Sequence, residues 1–165
     1  QRLNGTFLFM LTSVFGGLRN WGIPFSVAIG LHAALAVPVA LATVFAFYVV
    51  RDDDHRAILL ILGTFLITPY VLTYDTGMVS AAAALLMIKG GSGDPSKDRR
   101  RIIATLGAIL PMCLIGFGLL GLPVAPLILG ALYAIAFRRS GAAASLLAIL
   151  ARTPPVRPSP AAVSD

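Results

Sequence analysis

The sequence predicts an all-α fold: one transmembrane domain over residues 1–151, built as a polytopic bundle of about five membrane helices behind an interfacial helix. Hydrophobic residues make up 58% of the 165 residues and charged residues 12%, whereas about 25% of a soluble domain is charged. Long uncharged stretches alternate with short loops that carry most of the 13 basic residues. A soluble chain of this length could not hide so much apolar surface. The composition therefore indicates an integral membrane protein.

The interfacial helix is predicted over residues 1–20. Polar residues interrupt this segment, but its apolar side chains recur at the spacing of one helical face, at Phe7, Leu11, Val14, Phe15 and Leu18. An amphipathic helix of this kind lies along a membrane surface, and Trp21 is a suitable anchor there. The chain begins at Gln1 and shows no signal-peptide pattern, so we expect this segment to continue a longer chain.

The first membrane helix is predicted over about 22–50, a stretch of 29 residues without a charge. This length spans a bilayer with some tilt. Pro24 suits the start of the helix, and Pro38 should kink it. His32 lies inside the span, where a hydrogen bond to a neighbouring helix is favoured over a role as a ligand or proton relay.

The polar loop 51–56 follows, and Asp54 is the expected N-cap of the next helix. Its run of three aspartates resembles the metal–nucleotide motif of soluble glycosyltransferases. Arginines bracket this run within only six residues, so a solvated connection is the favoured interpretation.

Residues 57–88 allow two arrangements. They form either one long span that breaks at Pro69, or two short helices at 57–68 and 76–88 that meet at a turn. Proline supports a break in both cases, since it lacks the N–H that would continue the helix.

Loop charge favours the two short helices. The segment 89–101 holds five Lys and Arg residues, which places it in the cytoplasm by the positive-inside rule. Two short helices put the two arginines of loop 51–56 on that same side. Twelve helical residues rise only about 18 Å, against a hydrocarbon core of about 30 Å. The turn between the helices should then lie below the outer surface, in a polar funnel with Asp75 near its floor.

The C-terminal part is predicted to contain two further membrane helices, at about 102–119 and 123–137. Glycine and proline punctuate the uncharged stretch between them, and arginine clusters flank both outer ends. Residues 140–151 are predicted as a short surface helix. The last segment, 152–165, contains four prolines and no core-forming pattern, so we expect a disordered cytoplasmic tail.

Asp75 is the principal candidate for a functional residue, because it is the only charged residue between Ala57 and Ile88. A charged side chain at membrane depth costs about 2.5–3.5 kcal/mol on insertion scales, so an aspartate there is functional by default. Its carboxylate could bind sugar hydroxyls, position a metal or act as a base. The phenols of Tyr70 and Tyr74 could stack on a sugar ring or donate to a phosphate.

A structural role for Asp75 is the alternative. The carboxylate would then be the N-cap of a helix that begins near Thr76, accepting from the amides of Gly77 or Met78. Arg19 also has two interpretations. Its guanidinium could bind a ligand phosphate, or it could extend to the phosphates of surrounding lipid.

Several classes of site are not expected. The sequence has one Cys, two His and no Glu, so no protein-only metal site and no cofactor are predicted. A metal held mainly by the phosphates of a ligand is left open. The net charge of +6 comes from loops and the tail, without a basic patch interleaved with aromatic residues. The charge therefore indicates topology and lipid contact, and no nucleic-acid partner is predicted.

Two stretches carry a family resemblance, Ser13–Gly22 (SVFGGLRNWG) and Thr68–Asp75 (TPYVLTYD). With the order of elements between them, residues 10–90 resemble the C-terminal half of the DUF2029 family. This is glycosyltransferase family 87, polytopic GT-C enzymes related to bacterial alpha-mannosyltransferases.

The resemblance implies that a hexose, typically mannose, passes from a polyprenyl-phosphate donor to a lipid or glycan acceptor, with inversion. The reaction would take place on the extracytoplasmic side of the plasma (inner) membrane. Pro69, Tyr70, Tyr74 and Asp75 are implied as donor-side residues, and Arg19 as a phosphate contact. The catalytic acidic residue of such enzymes lies in an early loop, upstream of Gln1, so the catalytic residue is unknown and this chain alone is expected to be inactive.

Two other functions are compatible with the same residues. A portion of a transporter or permease could place a broken-helix polar site at Asp75, although no second broken segment resembles 57–88. A membrane scaffold without chemistry is the other.

Overall fold

A computed structural model describes residues 10–88 and 124–151, together with residues 105, 107, 109, 120 and 122. The helices in these ranges are α1 (Val14–Asn20), α2 (Phe25–Val49), α3 (Asp53–Ile67), α4 (Gly77–Ile88), α5 (Val124–Arg139) and α6 (Ala142–Ala151). One 3₁₀ turn, Thr73–Thr76, precedes α4. No strand occurs among the residues described, so the predicted all-α class is confirmed.

The interfacial helix is shorter than predicted in its described part. Residues 10–13 are not α-helical, and α1 begins only at Val14, after the N-cap Ser13. The reason is a long-range pairing that helical periodicity does not reveal: Leu11 forms an isolated antiparallel bridge with Leu72. Residues 1–9 of the predicted helix lie outside the described residues.

Only α2, among the residues described, is by itself long and apolar enough to cross a bilayer. It runs for 25 residues with Pro38 inside it, and 22% of its most apolar 18-residue stretch is buried. The pair α5 and α6 bends by 70° and would add a second span only as one broken helix. These helices indicate membrane association, whereas the bundle of five spans stays a prediction.

Residues 53–88 form two helices that pack against each other, which is the hairpin arrangement. Asp52 caps α3, accepting from the amides of Asp54 and His55. The prediction of Asp54 as N-cap was therefore wrong, and α3 begins at Asp53, four residues before 57. With 15 and 12 residues, α3 and α4 rise about 22 and 18 Å, both short of a hydrocarbon core.

Helix α5 packs on α3. Its bounds, Val124–Arg139, lie close to those of the predicted helix 123–137. The guanidinium of Arg139 donates to the carbonyl of Leu86 at 2.9 Å, so α4 and α5 end side by side. We call this end of the molecule, which also holds the start of α3, the basic end. It carries four of the five described Lys and Arg side chains: Arg51, Arg56, Arg138 and Arg139. The opposite end, with α1 and the connection between α3 and α4, is the turn end.

The core lies between α2, α3, α4 and α5. Its fully buried members include Leu59 and Leu62 of α3, Leu86 of α4 and Leu132 of α5. Close contacts among these buried apolar side chains stabilise the packing of the four helices.

Close approaches help to pack the helices. A Cβ at Gly107 would lie 2.6 Å from the Leu132 side chain and 3.2 Å from the Ala83 side chain.

In the predicted helix 102–119, residues 105, 107 and 109 are helical, and the rest lies outside the described residues. The predicted loop 89–101 and the predicted tail 152–165 also lie outside them.

Candidate functional site

The connection between α3 and α4 is a structured turn. Helix α3 ends at Ile67, and Thr68 is extended at φ −79° and ψ 121°. A residue before proline avoids the helical region because the proline ring crowds its backbone, so Pro69 accounts for the end of α3. One 3₁₀ turn, Thr73–Thr76, then leads into α4.

A second segment of the chain holds this turn. The amide of Thr12 donates to the carbonyl of Val71 at 3.0 Å, and the Thr73 hydroxyl donates to the carbonyl of Met10 at 2.9 Å. The hydroxyl of Ser13 donates to the carbonyl of Pro69. We call the paired segments 10–13 and 69–73 the clasp. The hydrogen bonds between these segments satisfy backbone carbonyls that lie outside any α-helix.

Asp75 lies at the surface of the clasped turn. Its side chain is exposed, and Oδ2 accepts from the amide of Leu72 at 3.2 Å. No other described residue donates to this carboxylate. The capping role expected toward Gly77 or Met78 is therefore replaced by one that reaches back three residues, which stabilises the 3₁₀ turn. The carboxylate is accessible, as a binding role requires, and the sunken funnel stays a prediction.

Tyr70 is oriented by an aromatic contact with α1. Its ring meets the ring of Phe15 edge-on, with centroids 5.3 Å apart, and Phe15 meets Phe25 of α2 in the same way at 5.5 Å. Phe15 is buried, whereas Tyr70 is 49% exposed. This geometry holds one side of the Tyr70 ring and leaves part of it open to a ligand. The side chain of Tyr74 lies outside what the structure describes.

Arg19 lies at the other end of α1 from Ser13, about 9 Å along the helix axis at 1.5 Å per residue. Its Nη1 donates to the carbonyl of Ile23 at 2.7 Å. This contact fixes the guanidinium at the junction between α1 and α2, so the clasp and Arg19 occupy opposite ends of one short helix.

His32 forms the predicted interhelical hydrogen bond. The imidazole is 2% exposed, and its Nε2 is 2.9 Å from the carbonyl of Ile67, the last residue of α3. A carbonyl only accepts, so Nε2 carries the hydrogen in the neutral ring and Nδ1 is an acceptor. Nδ1 is buried without a hydrogen-bond partner in the described residues. The contact satisfies a carbonyl that the Pro69 break leaves free.

An apolar groove of about 530 Å³ lies between α1, α2 and α5. Leu18 of α1 and Trp21, the residue after α1, form one side, Val39 lies on α2, and Leu127 and Gly130 lie on α5. Sequence reasoning missed this groove, because it depends on how three helices pack.

Tyr133 also lines the groove, and its hydroxyl is 2.8 Å from Oγ1 of Thr43. Thr43 in turn donates to the carbonyl of Val39 at 2.8 Å. The bond between Thr43 and Tyr133 joins α2 to α5. The hydroxyl of Tyr133 at the groove is therefore already paired.

The described residues contain no group of three or more His, Cys, Asp or Glu side chains that could hold a metal. The run of aspartates after α2 has structural roles. Asp52 caps α3 and lies 3.1 Å from His55, and Asp53 pairs with Arg56 at 3.2 Å. These contacts support a solvated connection at the basic end.

Segment 10–13 is the part of the candidate site that sequence reasoning missed. It was predicted as helix, whereas its hydroxyls and amides hold the turn that carries Asp75. Hydroxyl residues at 12, 13 and 73 were the available signal, but nothing in the sequence pairs them across sixty residues. No family model matches this sequence, and no curated protein or solved structure does either.

Proposed function

We propose that this chain is the C-terminal portion of an integral-membrane glycosyltransferase. In this proposal the whole protein transfers a hexose, mannose by the family resemblance, from a polyprenyl-phosphate donor to a lipid or glycan acceptor. The observation that carries the proposal is the accessible carboxylate of Asp75 on a hydrogen-bonded turn. The helices on either side of this turn are too short to cross a bilayer.

The distribution of charge supports an extracytoplasmic site. The basic end carries four of the five described Lys and Arg side chains, and only Arg19 lies at the turn end. The positive-inside rule then assigns the basic end to the cytoplasm. A multi-pass protein of the plasma (inner) membrane with a cytoplasmic C-terminus is the topology that we propose.

The turn supplies the chemistry of sugar recognition. A carboxylate accepts hydrogen bonds from two sugar hydroxyls at once, and the partly exposed ring of Tyr70 offers an apolar face to a pyranose. Asp75 already accepts from Leu72 with one oxygen, so we assign it a binding role and not that of the catalytic base. Pro69 shapes this turn, and Tyr74 follows Tyr70 in it. Arg19 would contact phosphate.

The test compares Asp75→Asn with Asp75→Ala in the full-length protein. Asparagine keeps an oxygen that can accept from Leu72, so the turn should persist while the charge is lost. Hydrogen bonds to charged groups contribute about 1.5–3 kcal/mol, so transfer from polyprenyl-phosphate mannose should fall about 10- to 150-fold in Asp75→Asn at unchanged thermal stability. Asp54→Asn, at the basic end, is the matched control and should transfer normally.

A membrane scaffold without chemistry is the second candidate, because the hydrogen bond that Asp75 accepts from Leu72 is a structural contact. The scaffold requires that Asp75→Ala lowers stability and that Asp75→Asn changes nothing. Normal transfer by a stable, normally expressed Asp75→Asn protein would therefore exclude Asp75 from sugar recognition.

A further inference from the structure

The groove between α1, α2 and α5 opens to the side of the molecule. Trp21, which follows α1 on one side of the groove, is 59% exposed, and Leu127 on the α5 side is 72% exposed. Its α2 wall belongs to the helix that is long and apolar enough to cross a bilayer. In a membrane, the groove therefore opens onto the same hydrocarbon that surrounds α2.

The lining of the groove suits a hydrocarbon chain. The hydroxyl of Tyr133 is engaged by Thr43 at 2.8 Å, so it offers little to a polar guest. A peptide segment would leave its backbone N–H and C=O groups without partners there, which is costly in an apolar setting. A hydrocarbon chain needs no such partners. The volume of about 530 Å³ lies within the range of ligand pockets, about 300–1,000 Å³.

A positive charge lies on the helix that forms one side of the groove. Arg19 directly follows Leu18 in α1 and precedes Trp21 by two residues, and both of these neighbours line the groove. Its Nη1 donates to the carbonyl of Ile23 at 2.7 Å, and a guanidinium has five N–H donors in all. The remaining donors can bind a phosphate, the geometry at which arginine is most effective.

We propose that this groove binds one acyl chain of an anionic glycerophospholipid, whose phosphate contacts Arg19. The surrounding bilayer supplies this lipid at high concentration, so even weak affinity gives substantial occupancy. The inference concerns a lipid site at the turn end and does not depend on sugar transfer.

Trp21 provides the readout, since it is the single tryptophan of the sequence and lines the groove. The full chain is reconstituted in phosphatidylcholine nanodiscs that contain a small fraction of phosphatidylglycerol with brominated chains, which quench tryptophan fluorescence on contact. Brominated phosphatidylglycerol should quench Trp21 at least twofold more strongly than the same fraction of brominated phosphatidylcholine. Arg19→Gln should bring the two lipids to equal quenching.

Gly130→Leu blocks the groove. A Cβ at Gly130 has nothing within 4 Å, so the added side chain extends into the open space and should reduce quenching by phosphatidylglycerol to the level of phosphatidylcholine. Gly30→Leu is the matched control, because Gly30 is an exposed helical glycine with equal space that does not line the groove. It should leave quenching unchanged. Gly130→Ala, a smaller change, should give an intermediate value and serves if Gly130→Leu does not fold.

Three results would overturn the proposal. Equal quenching by both lipids in the unsubstituted protein would mean that no anionic lipid is selected. Unchanged quenching in a folded Gly130→Leu protein would mean that the acyl chain binds outside this groove. Recovery of fluorescence on adding polyprenyl phosphate, but not on adding unlabelled phosphatidylglycerol, would assign the groove to a different lipid.

Discussion

Ser13 donates its hydroxyl hydrogen to the carbonyl of Pro69, a residue 56 positions later in the chain. The same hydroxyl oxygen accepts from the amide of Gly16 at 3.1 Å and so caps α1. One small side chain therefore fixes the start of a helix and the break between two others. The arrangement makes the turn that carries Asp75 dependent on residues far from it in sequence.

Ser13→Ala should destabilise the protein by about 2–3 kcal/mol. Loss of a serine N-cap costs about 0.5–2 kcal/mol, and the carbonyl of Pro69 loses a partner in a partly buried position. The free energy of unfolding in mixed detergent and denaturant measures the effect. Ser26→Ala is the matched control: Ser26 is exposed, and the change should stay within about 0.5 kcal/mol. Equal stability of the two variants would contradict the dual role of Ser13.

Gly16→Ala should displace the clasp. A Cβ at residue 16 would lie 2.3 Å from Cβ of Leu11 and 2.9 Å from its carbonyl oxygen, so the backbone of segment 10–13 must move. Overpacking of this kind costs about 1–3 kcal/mol. Gly30→Ala, on open helix surface, should be neutral or stabilising by up to about 1 kcal/mol. Thermal unfolding of both variants tests this, and a Gly16→Ala protein as stable as Gly30→Ala would refute the close approach.

Gly63→Ala should be rescued by a change in a different helix. A Cβ at Gly63 would lie 2.6 Å from Oγ1 of Thr43, which is also within hydrogen-bond distance of Tyr133. Thr43→Ala removes the clashing atom. In a double-mutant cycle, Gly63→Ala should therefore cost less beside Thr43→Ala than in the unsubstituted protein, with a coupling energy of about 0.5–3 kcal/mol. Additive effects of the two substitutions on stability would show that α2 and α3 can move apart at this contact without cost.

His32→Leu should destabilise the junction of α2 and α3 by about 1–3 kcal/mol, because the carbonyl of Ile67 then loses its donor. His32→Gln keeps an N–H donor on a side chain of similar reach and should recover part of this loss. The free energy of unfolding distinguishes the two variants. A leucine variant as stable as the glutamine variant would mean that the hydrogen bond contributes nothing.

Features that depend on local chemistry were predictable from the sequence. Proline at 69 ends α3 because its ring restricts the residue before it, and this constraint acts between neighbours. The hairpin of α3 and α4 was favoured by the arginines in the loop after α2. The positive-inside rule assigns basic loops to one side of the membrane without any knowledge of packing. The choice of N-cap was not predictable. Asp52 and Asp54 are equally good caps, and the backbone selects Asp52.

Features that depend on distant contacts could not be read from the sequence. Segment 10–13 continues the apolar pattern of α1, yet its amides and hydroxyls pair with residues 69–73. Helical periodicity describes one face of one segment and contains no information on such a partner. For the same reason the direction in which Asp75 caps, back to Leu72, became evident only from the fold.

The clasp also has a consequence for biosynthesis. Residues 10–13 leave the ribosome nearly sixty residues before their hydrogen-bond partners at 69–73. At about 5–20 residues per second, the early segment waits roughly 3–12 s before its hydrogen bonds can form. During that interval α1 and α2 are already synthesised, so the closing of the turn onto them is a late event that joins the first-made part of the chain to a later one.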